Sequence, residues 1–129
     1  MARIAPALAL AALFVVGCGG GGDDDTGGGR AVTVAANDTL KMTAKEYEFD
    51  PGEITVNGAG RLTIDLQNDG SLAHDVVVKK GEREIGGTRA FPAGESRSAT
   101  VNLEHGTYEF LCTVGDHAEL GMRGTLTVK

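Results

Sequence analysis

Short segments of alternating apolar and polar residues, separated by turn sequences, limit the fold of this chain more than any other feature. Alternation runs through residues 61–66, 98–103 and 108–112, and turns such as Asn57-Gly58 and Asn68-Asp69-Gly70 separate the segments. Strands that recur at intervals of about ten residues are typical of an antiparallel β-sandwich or barrel. No long amphipathic helix is predicted, although residues 82–92 fit a short helix or an irregular loop.

The N-terminus has the pattern of an export signal. Residues 1–17 contain Arg3 and an apolar run that is too short to span a bilayer, and Gly17-Cys18 follows it. A small residue and then Cys after such a run resembles a bacterial lipobox. We therefore predict cleavage before Cys18 and lipidation of its thiol. The alternative is an ordinary secretory signal that is cut a few residues later.

Residues 18–38 are predicted to form a disordered tether, because the segment from Gly19 to Arg30 contains little except Gly and Asp. Its glycines precede no phosphate-binding helix, and its three adjacent Asp residues lack the spacing of a calcium loop. The remaining residues, 39–129, are predicted to form one domain, which is long enough to fold alone.

The charge balance excludes one class of partner. The formal charge is −6, and removal of residues 1–17, which contain one charged residue, Arg3, brings it to −7. An acidic domain argues against nucleic-acid binding and is compatible with a soluble surface.

The C-terminal segment contains the residues that carry chemistry. Cys112, His117 and Met122 follow one another at C-x4-H-x4-M spacing between two predicted strands, and His74 lies 38 residues before Cys112. A thiolate, imidazoles and a weak thioether are the ligand set that suits copper cycling between Cu(I) and Cu(II). These four residues are the candidate metal ligands.

Zinc binding, nucleophilic catalysis and simple core packing fit the same residues less well. Zinc does not usually take a thioether ligand. A nucleophilic pair of Cys112 and His117 would lack a third group to orient the imidazole. Cys112 or Met122 alone would more often be a core residue. His105 precedes Gly106 between two strands and is predicted to be an exposed turn residue.

The order of an isolated His, then Cys, His and Met in a loop between the last two strands resembles the cupredoxins, the blue-copper family, over residues 40–129. The loop is most similar to the azurin and auracyanin type, and the ending G-M-x-G-T-L-T-V is also family-like. The resemblance implies a Greek-key β-sandwich or barrel of about 7–8 strands. It also implies one type 1 copper ion with His74, Cys112 and His117 as trigonal ligands and Met122 as the axial ligand.

The resemblance further implies roles around the metal. The Ala73 carbonyl is expected opposite Met122. Asp75 replaces the Asn that is common in relatives, and we expect it to accept a hydrogen bond from Thr113. An apolar patch around His117 is expected to be the electron port, and it would be formed by Leu72, Ala73, Val114, Ala118 and Leu120.

The sequence therefore predicts a monomeric electron-transfer protein, exported and held by its lipid at the outer face of the cytoplasmic membrane or in the periplasm. It would exchange electrons with redox protein partners and would not itself be an enzyme. Two alternatives stay open. One is a copper-delivery protein without a redox partner, and the other is an accessory copper domain of a respiratory complex.

Overall fold

A computed structural model describes residues 30–129, and these residues form strands and loops only. Within that range there is no helix that could cross a membrane. The strands are β1 (Ala31–Ala35), β2 (Thr39–Lys45), β3 (Glu48–Asp50), β4 (Glu53–Asn57), β5 (Gly60–Asn68), β6 (Val77–Lys80), β7 (Arg83–Gly87), β8 (Ser96–Leu103), β9 (Gly106–Leu111) and β10 (Arg123–Val128).

The strands form two sheets that pack face to face. One sheet has six strands in the order β1-β4-β10-β9-β6-β7, and the other has four in the order β3-β2-β5-β8. The all-β sandwich predicted from the sequence is confirmed. The antiparallel pairing expected from the sequence holds for five of the eight strand pairs in the described residues, whereas β1 with β4, β4 with β10, and β2 with β5 pair in parallel. Such pairs require connections that cross between sheets rather than hairpins.

Two segments differ from the sequence-based prediction. The predicted tether, residues 18–38, contains β1, which pairs in register with β4 from Ala31 opposite Glu53 to Ala35 opposite Asn57. Its two valines are half-buried and pack against the core, so their alternation with threonine was the signal of a strand. Residues 82–92 contain β7 and a loop instead of a short helix.

The core lies between the two sheets and is built from the alternating side chains of the inner faces. In β5, for example, Leu62, Ile64 and Leu66 are fully buried while the residues between them are partly exposed. A period of two places one set of side chains on one face of a strand, so each strand contributes a buried apolar row.

One end of the sandwich gathers the residues singled out in the sequence. β9 ends there at Leu111, β10 begins there at Arg123, and β6 begins there at Val77, because β9 runs antiparallel to both of its neighbours. In the opposite sheet β2 and β5 end there, at Lys45 and Asn68. We call this the site end.

Candidate metal centre

The last strand pair holds Cys112 and the loop that follows it. Cys112 comes directly after β9, and its backbone N–H donates to the carbonyl of Met122 at 3.1 Å, so the pairing continues one residue beyond the strands. The Met122 N–H in turn donates to the carbonyl of His117 at 3.0 Å. These two bonds close residues 113–121 into a compact loop.

His74 also lies at the site end, in a segment that precedes Cys112 in the sequence. It lies between β5 and β6 and forms an isolated antiparallel bridge with Phe91, in which His74 N–H donates at 3.2 Å and Phe91 N–H donates at 3.0 Å. Both residues are buried. Because β6 begins only at Val77, this bridge is the strand-like pairing that holds the backbone of His74.

Three of the four candidate ligands point their donor atoms at one another. The Cys112 Sγ lies 3.9 Å from His74 Nδ1 and 3.6 Å from His117 Nδ1, and the three ligating atoms lie within 4.8 Å of one another. His74, Cys112 and Met122 are fully buried, and His117 is 7% exposed. One sulfur and two imidazole nitrogens in a buried pocket, with the buried Met122 thioether near them in the sequence, fit copper better than zinc or magnesium.

Burial sets the protonation of the metal-free site. It lowers the pKa of His74 below its ordinary value and raises the pKa of the Cys112 thiol. The imidazole of His74 is therefore neutral, with a lone pair free for a metal. A bound cation has the opposite effect on the thiol, since a coordinating thiol is deprotonated.

Asp75 joins the two ligand-bearing segments. Its Oδ1 accepts from the Thr113 N–H at 2.6 Å, and its Oδ2 accepts from the Thr113 hydroxyl. Asp75 follows His74 and Thr113 follows Cys112, so this pair of bonds ties together the chain on either side of the site. The hydrogen bond expected from the sequence is present, and Asp75 is 5% exposed.

The apolar residues predicted to surround His117 all reach the surface at least in part. Leu72 is 44% exposed and Leu120 is 51% exposed, while Val114 and Ala118 are half-buried. The Tyr47 ring lies 5.2 Å from the His117 ring and is 37% exposed, although no motif in the sequence pointed to it. Ala73 is exposed, as the predicted patch requires.

Two further residues at the site were missed in the sequence. Glu46 lies directly after β2, and its Oε1 is 3.3 Å from His74 Nε2. Asn68 ends β5, is fully buried, and hydrogen bonds with three backbone groups in two segments. The Asn-Asp-Gly turn pointed to Asn68 as a turn residue, but nothing pointed to Glu46.

His105 is exposed and far from the site, at the turn between β8 and β9. Cys18 lies outside the described residues.

The fold and this buried set of two imidazoles and a thiol define a class of protein, a β-sandwich with a mononuclear copper site. The sequence profile of the family described as cupredoxin-like domain matches residues 7–128. The chain belongs to this family.

Solved structures agree with that assignment. The chain is similar to a dithionite-reduced auracyanin from the photosynthetic bacterium Roseiflexus castenholzii, with 26% identity and a TM-score of 0.67 over 73% of this chain and 98% of that one. It is also similar to auracyanin A, a blue copper protein from Chloroflexus aurantiacus, with 22% identity and a TM-score of 0.62 over 78% and 100% of the two chains.

A third similar structure is the azurin Az-iso2 from Methylomonas sp. strain J, with 19% identity and a TM-score of 0.63 over 73% of this chain and 99% of that one. A search of curated protein sequences finds no match. Together the family and the donor set identify a type 1 copper protein whose cofactor is one copper ion.

Proposed function

We propose that this protein transfers single electrons through copper held by His74, Cys112, His117 and Met122. The observation that carries the proposal is the convergence of one thiol and two imidazole nitrogens within 4.8 Å at the site end. When bound there, copper supplies a one-electron couple between Cu(I) and Cu(II). The protein supplies the positions of the ligands.

The positions of these ligands are fixed by the fold. His74 is held by its bridge to Phe91, Cys112 by its bond to the Met122 carbonyl, and the two halves are joined by Asp75. Side chains that are already placed need not move when the charge of the metal changes. A site of this kind favours rapid electron exchange over the release of copper to a recipient protein, and this supports electron transfer over copper delivery.

The proposed electron port is the apolar patch around His117, which we define as Tyr47, Leu72, Ala73, Val114, Ala118 and Leu120. His117 is the ligand nearest to solvent. Weak redox encounters use small interfaces, and a patch of this kind suits a partner that must dock and leave quickly.

One substitution tests the port. Leu120→Lys places a charge on the patch at a side chain that is 51% exposed, so it should slow electron exchange with protein partners while leaving the copper spectrum unchanged. Asn102→Lys, on an exposed residue of β8 near the far end of the sandwich, adds the same single positive charge away from the patch and is the matched control. Exchange rates that are equal in the two variants would place the port elsewhere.

We also propose that the protein is exported, is lipidated at Cys18, and acts as a monomeric carrier between redox proteins rather than as an enzyme. The export pattern of residues 1–17 supports the first two statements. A single proposed copper site and a surface port support the third.

The decisive experiment compares the two cysteines. Copper-loaded protein should be intensely coloured when oxidised, through sulfur-to-copper charge transfer, and reduction should bleach it. Cys112→Ala should abolish the colour and leave the β-sheet circular dichroism intact, whereas Cys18→Ala should keep the colour. Colour that survives in Cys112→Ala would refute the ligand assignment. A coloured protein that passes copper to a chelating acceptor faster than it exchanges electrons would favour copper delivery.

A further inference from the structure

Glu46 stands beside the site without being one of the candidate ligands. It is the first residue after β2, at the site end, and its Oε1 lies 3.3 Å from Nε2 of His74. The other nitrogen of the same ring, Nδ1, faces the Cys112 sulfur at 3.9 Å. The two nitrogens of His74 therefore have different neighbours, one a carboxylate and the other the space proposed for the metal.

Backbone N–H groups bind the carboxylate of Glu46, and we call this binding position its seat. Its Oε1 accepts from the N–H groups of Ser71 and Leu72, each at 2.7 Å. These two bonds hold the pKa of Glu46 at about 2, below its ordinary value of 4.5. Its side chain is 27% exposed, so it is partly screened from water.

Gly70 leaves the space for this seat. A Cβ added at Gly70 would lie 2.6 Å from Glu46 Oε1 and 2.8 Å from its Oε2, which no real contact permits. Asn68 holds the same loop from the inside, because its Oδ1 accepts from the Gly70 N–H at 3.0 Å and its Nδ2 donates to the Leu72 carbonyl at 2.9 Å. Asn68 and Glu46 thus bind the same short loop, residues 70–72, each through its side chain.

We propose that Glu46 is a positioning residue for copper. It accepts a hydrogen bond from the His74 Nε2–H group, which leaves Nδ1 unprotonated and free to bind copper, and its negative charge favours Cu(II) over Cu(I). This inference rests on the proposed role of His74 as a ligand.

The physical basis is the behaviour of metal-bound imidazoles. A ligating histidine usually donates its other N–H to a carboxylate or a carbonyl, which fixes the tautomer and the ring orientation and raises the basicity of the ligand. A carboxylate adds a full negative charge to that bond, and hydrogen bonds to charged groups are stronger than neutral ones. The negative charge of Glu46 would act on the metal through the imidazole ring, so it should change the affinities for Cu(II) and Cu(I) by different amounts.

A change of charge without a change of shape is the first test. In Glu46→Gln the amide oxygen can accept all three hydrogen bonds that Oε1 accepts now. We expect Cu(II) affinity to fall about tenfold, at the lower end of the range for such partners. With Cu(I) affinity unchanged, this corresponds to a rise of about 59 mV in reduction potential. Glu48→Gln removes the same charge from an exposed residue on β3 and is the matched control. If the two variants give equal potentials and Cu(II) affinities, the proposal is overturned.

A second test needs no metal. Nitrogen chemical shifts of His74 in the full, metal-free chain should show the Nε2–H tautomer in the natural protein and in Glu46→Gln. In Glu46→Ala a mixture with the Nδ1–H tautomer should appear. The same tautomer distribution in the natural protein and Glu46→Ala would refute the positioning role. Since copper is absent, this result stands even if the copper assignment fails for another reason.

Gly70→Ala tests the seat from the opposite side. The backbone at Gly70 is not in the left-handed region, so alanine is tolerated there and the carboxylate end of Glu46 is what must move. Gly70→Ala alone should therefore give the His74 tautomer mixture of Glu46→Ala. In the Glu46→Ala background, Gly70→Ala should not change the tautomer mixture of His74 any further. A normal tautomer in Gly70→Ala, or a further change in the double variant, would contradict the seat.

Discussion

Asn68→Ala should destabilise the protein more than its small change in volume suggests. The Asn68 side chain is fully buried at the end of β5. Its Nδ2 donates to the carbonyls of Leu72 at 2.9 Å and Phe91 at 3.1 Å, and its Oδ1 accepts from the Gly70 N–H at 3.0 Å. Alanine removes all three bonds and offers no replacement.

The expected loss follows from these bonds. Each contributes about 0.5–1.5 kcal/mol net, so the three together amount to about 1.5–4.5 kcal/mol. The Phe91 carbonyl keeps a second donor, the N–H of His74 at 3.2 Å, which places the expected value near the middle of that range, about 3 kcal/mol. Asn68→Asp should be at least as harmful, because it loses both donors and turns a buried carboxylate oxygen toward two carbonyls.

Urea unfolding of the metal-free protein measures this loss. The midpoint should fall in Asn68→Ala while the slope with urea stays the same, as expected for a change in stability without a change in the unfolded state. Asn102→Ala, on the exposed face of β8, is the control and should lie within about 0.5 kcal/mol of the natural protein. If Asn68→Ala matches that control, Asn68 does not hold the loop and the reasoning fails.

Three further predictions concern charge and packing. Asp75→Asn should raise the reduction potential and keep the colour. For a carboxylate taken as about 8 Å from the copper, with an effective dielectric constant of about 20, Coulomb's law gives on the order of 2 kcal/mol, which sets a ceiling of roughly 90 mV on the rise. An unchanged or lower potential in film voltammetry would contradict this prediction. In the metal-free protein Glu46 has its pKa lowered to about 2, so the stability it contributes is fully present above pH 4.5 and is lost as the pH falls toward 2. Unfolding free energy should fall less steeply over this window in Glu46→Gln, and equal slopes would argue against that contribution. Gly124→Ala would place a Cβ 2.2 Å from Phe110 Cζ and 2.3 Å from the Gly52 carbonyl oxygen, so it should cost about 3 kcal/mol or more, and an unchanged urea midpoint would contradict the packing.

The strands and the ligand set were accessible from sequence because both leave local signals. Alternation in 61–66 and 98–103 has the period of a strand, and these segments lie in β5 and β8. Cys112, His117 and Met122 are spaced so that one short loop brings the first two together. His74 was found by its chemistry rather than by position, since it is one of three histidines in the chain.

The remaining features depend on contacts between segments far apart in sequence. β1 is stabilised by β4, which begins 18 residues after β1 ends, and five residues with one alternation did not stand out beside a Gly-rich segment. The seat of Glu46 needs the turn after β5, which is 25 residues away, to present two N–H groups. Glu46 lies in a polar segment, and nothing in the neighbouring sequence indicates that a distant loop binds its carboxylate.

The parallel course of β1, β4 and β10 decides from which end of the molecule the N-terminal segment departs. β10 begins directly after Met122, and Ala31 and Thr125 both stand opposite Glu53. The Arg30 carbonyl accepts from the Gly52 N–H at 3.0 Å, and the Gly52 carbonyl accepts from Thr125 at 3.2 Å, so Arg30 also lies at the site end. A lipid on Cys18 would be separated from Arg30 by 11 residues, 19–29, which the sequence predicts to be part of a disordered tether. A Gly-rich chain of that length reaches about 20 Å. The anchor would then turn the port toward the bilayer, and electrons would pass to partners embedded in or lying on the same membrane rather than to carriers diffusing far from it.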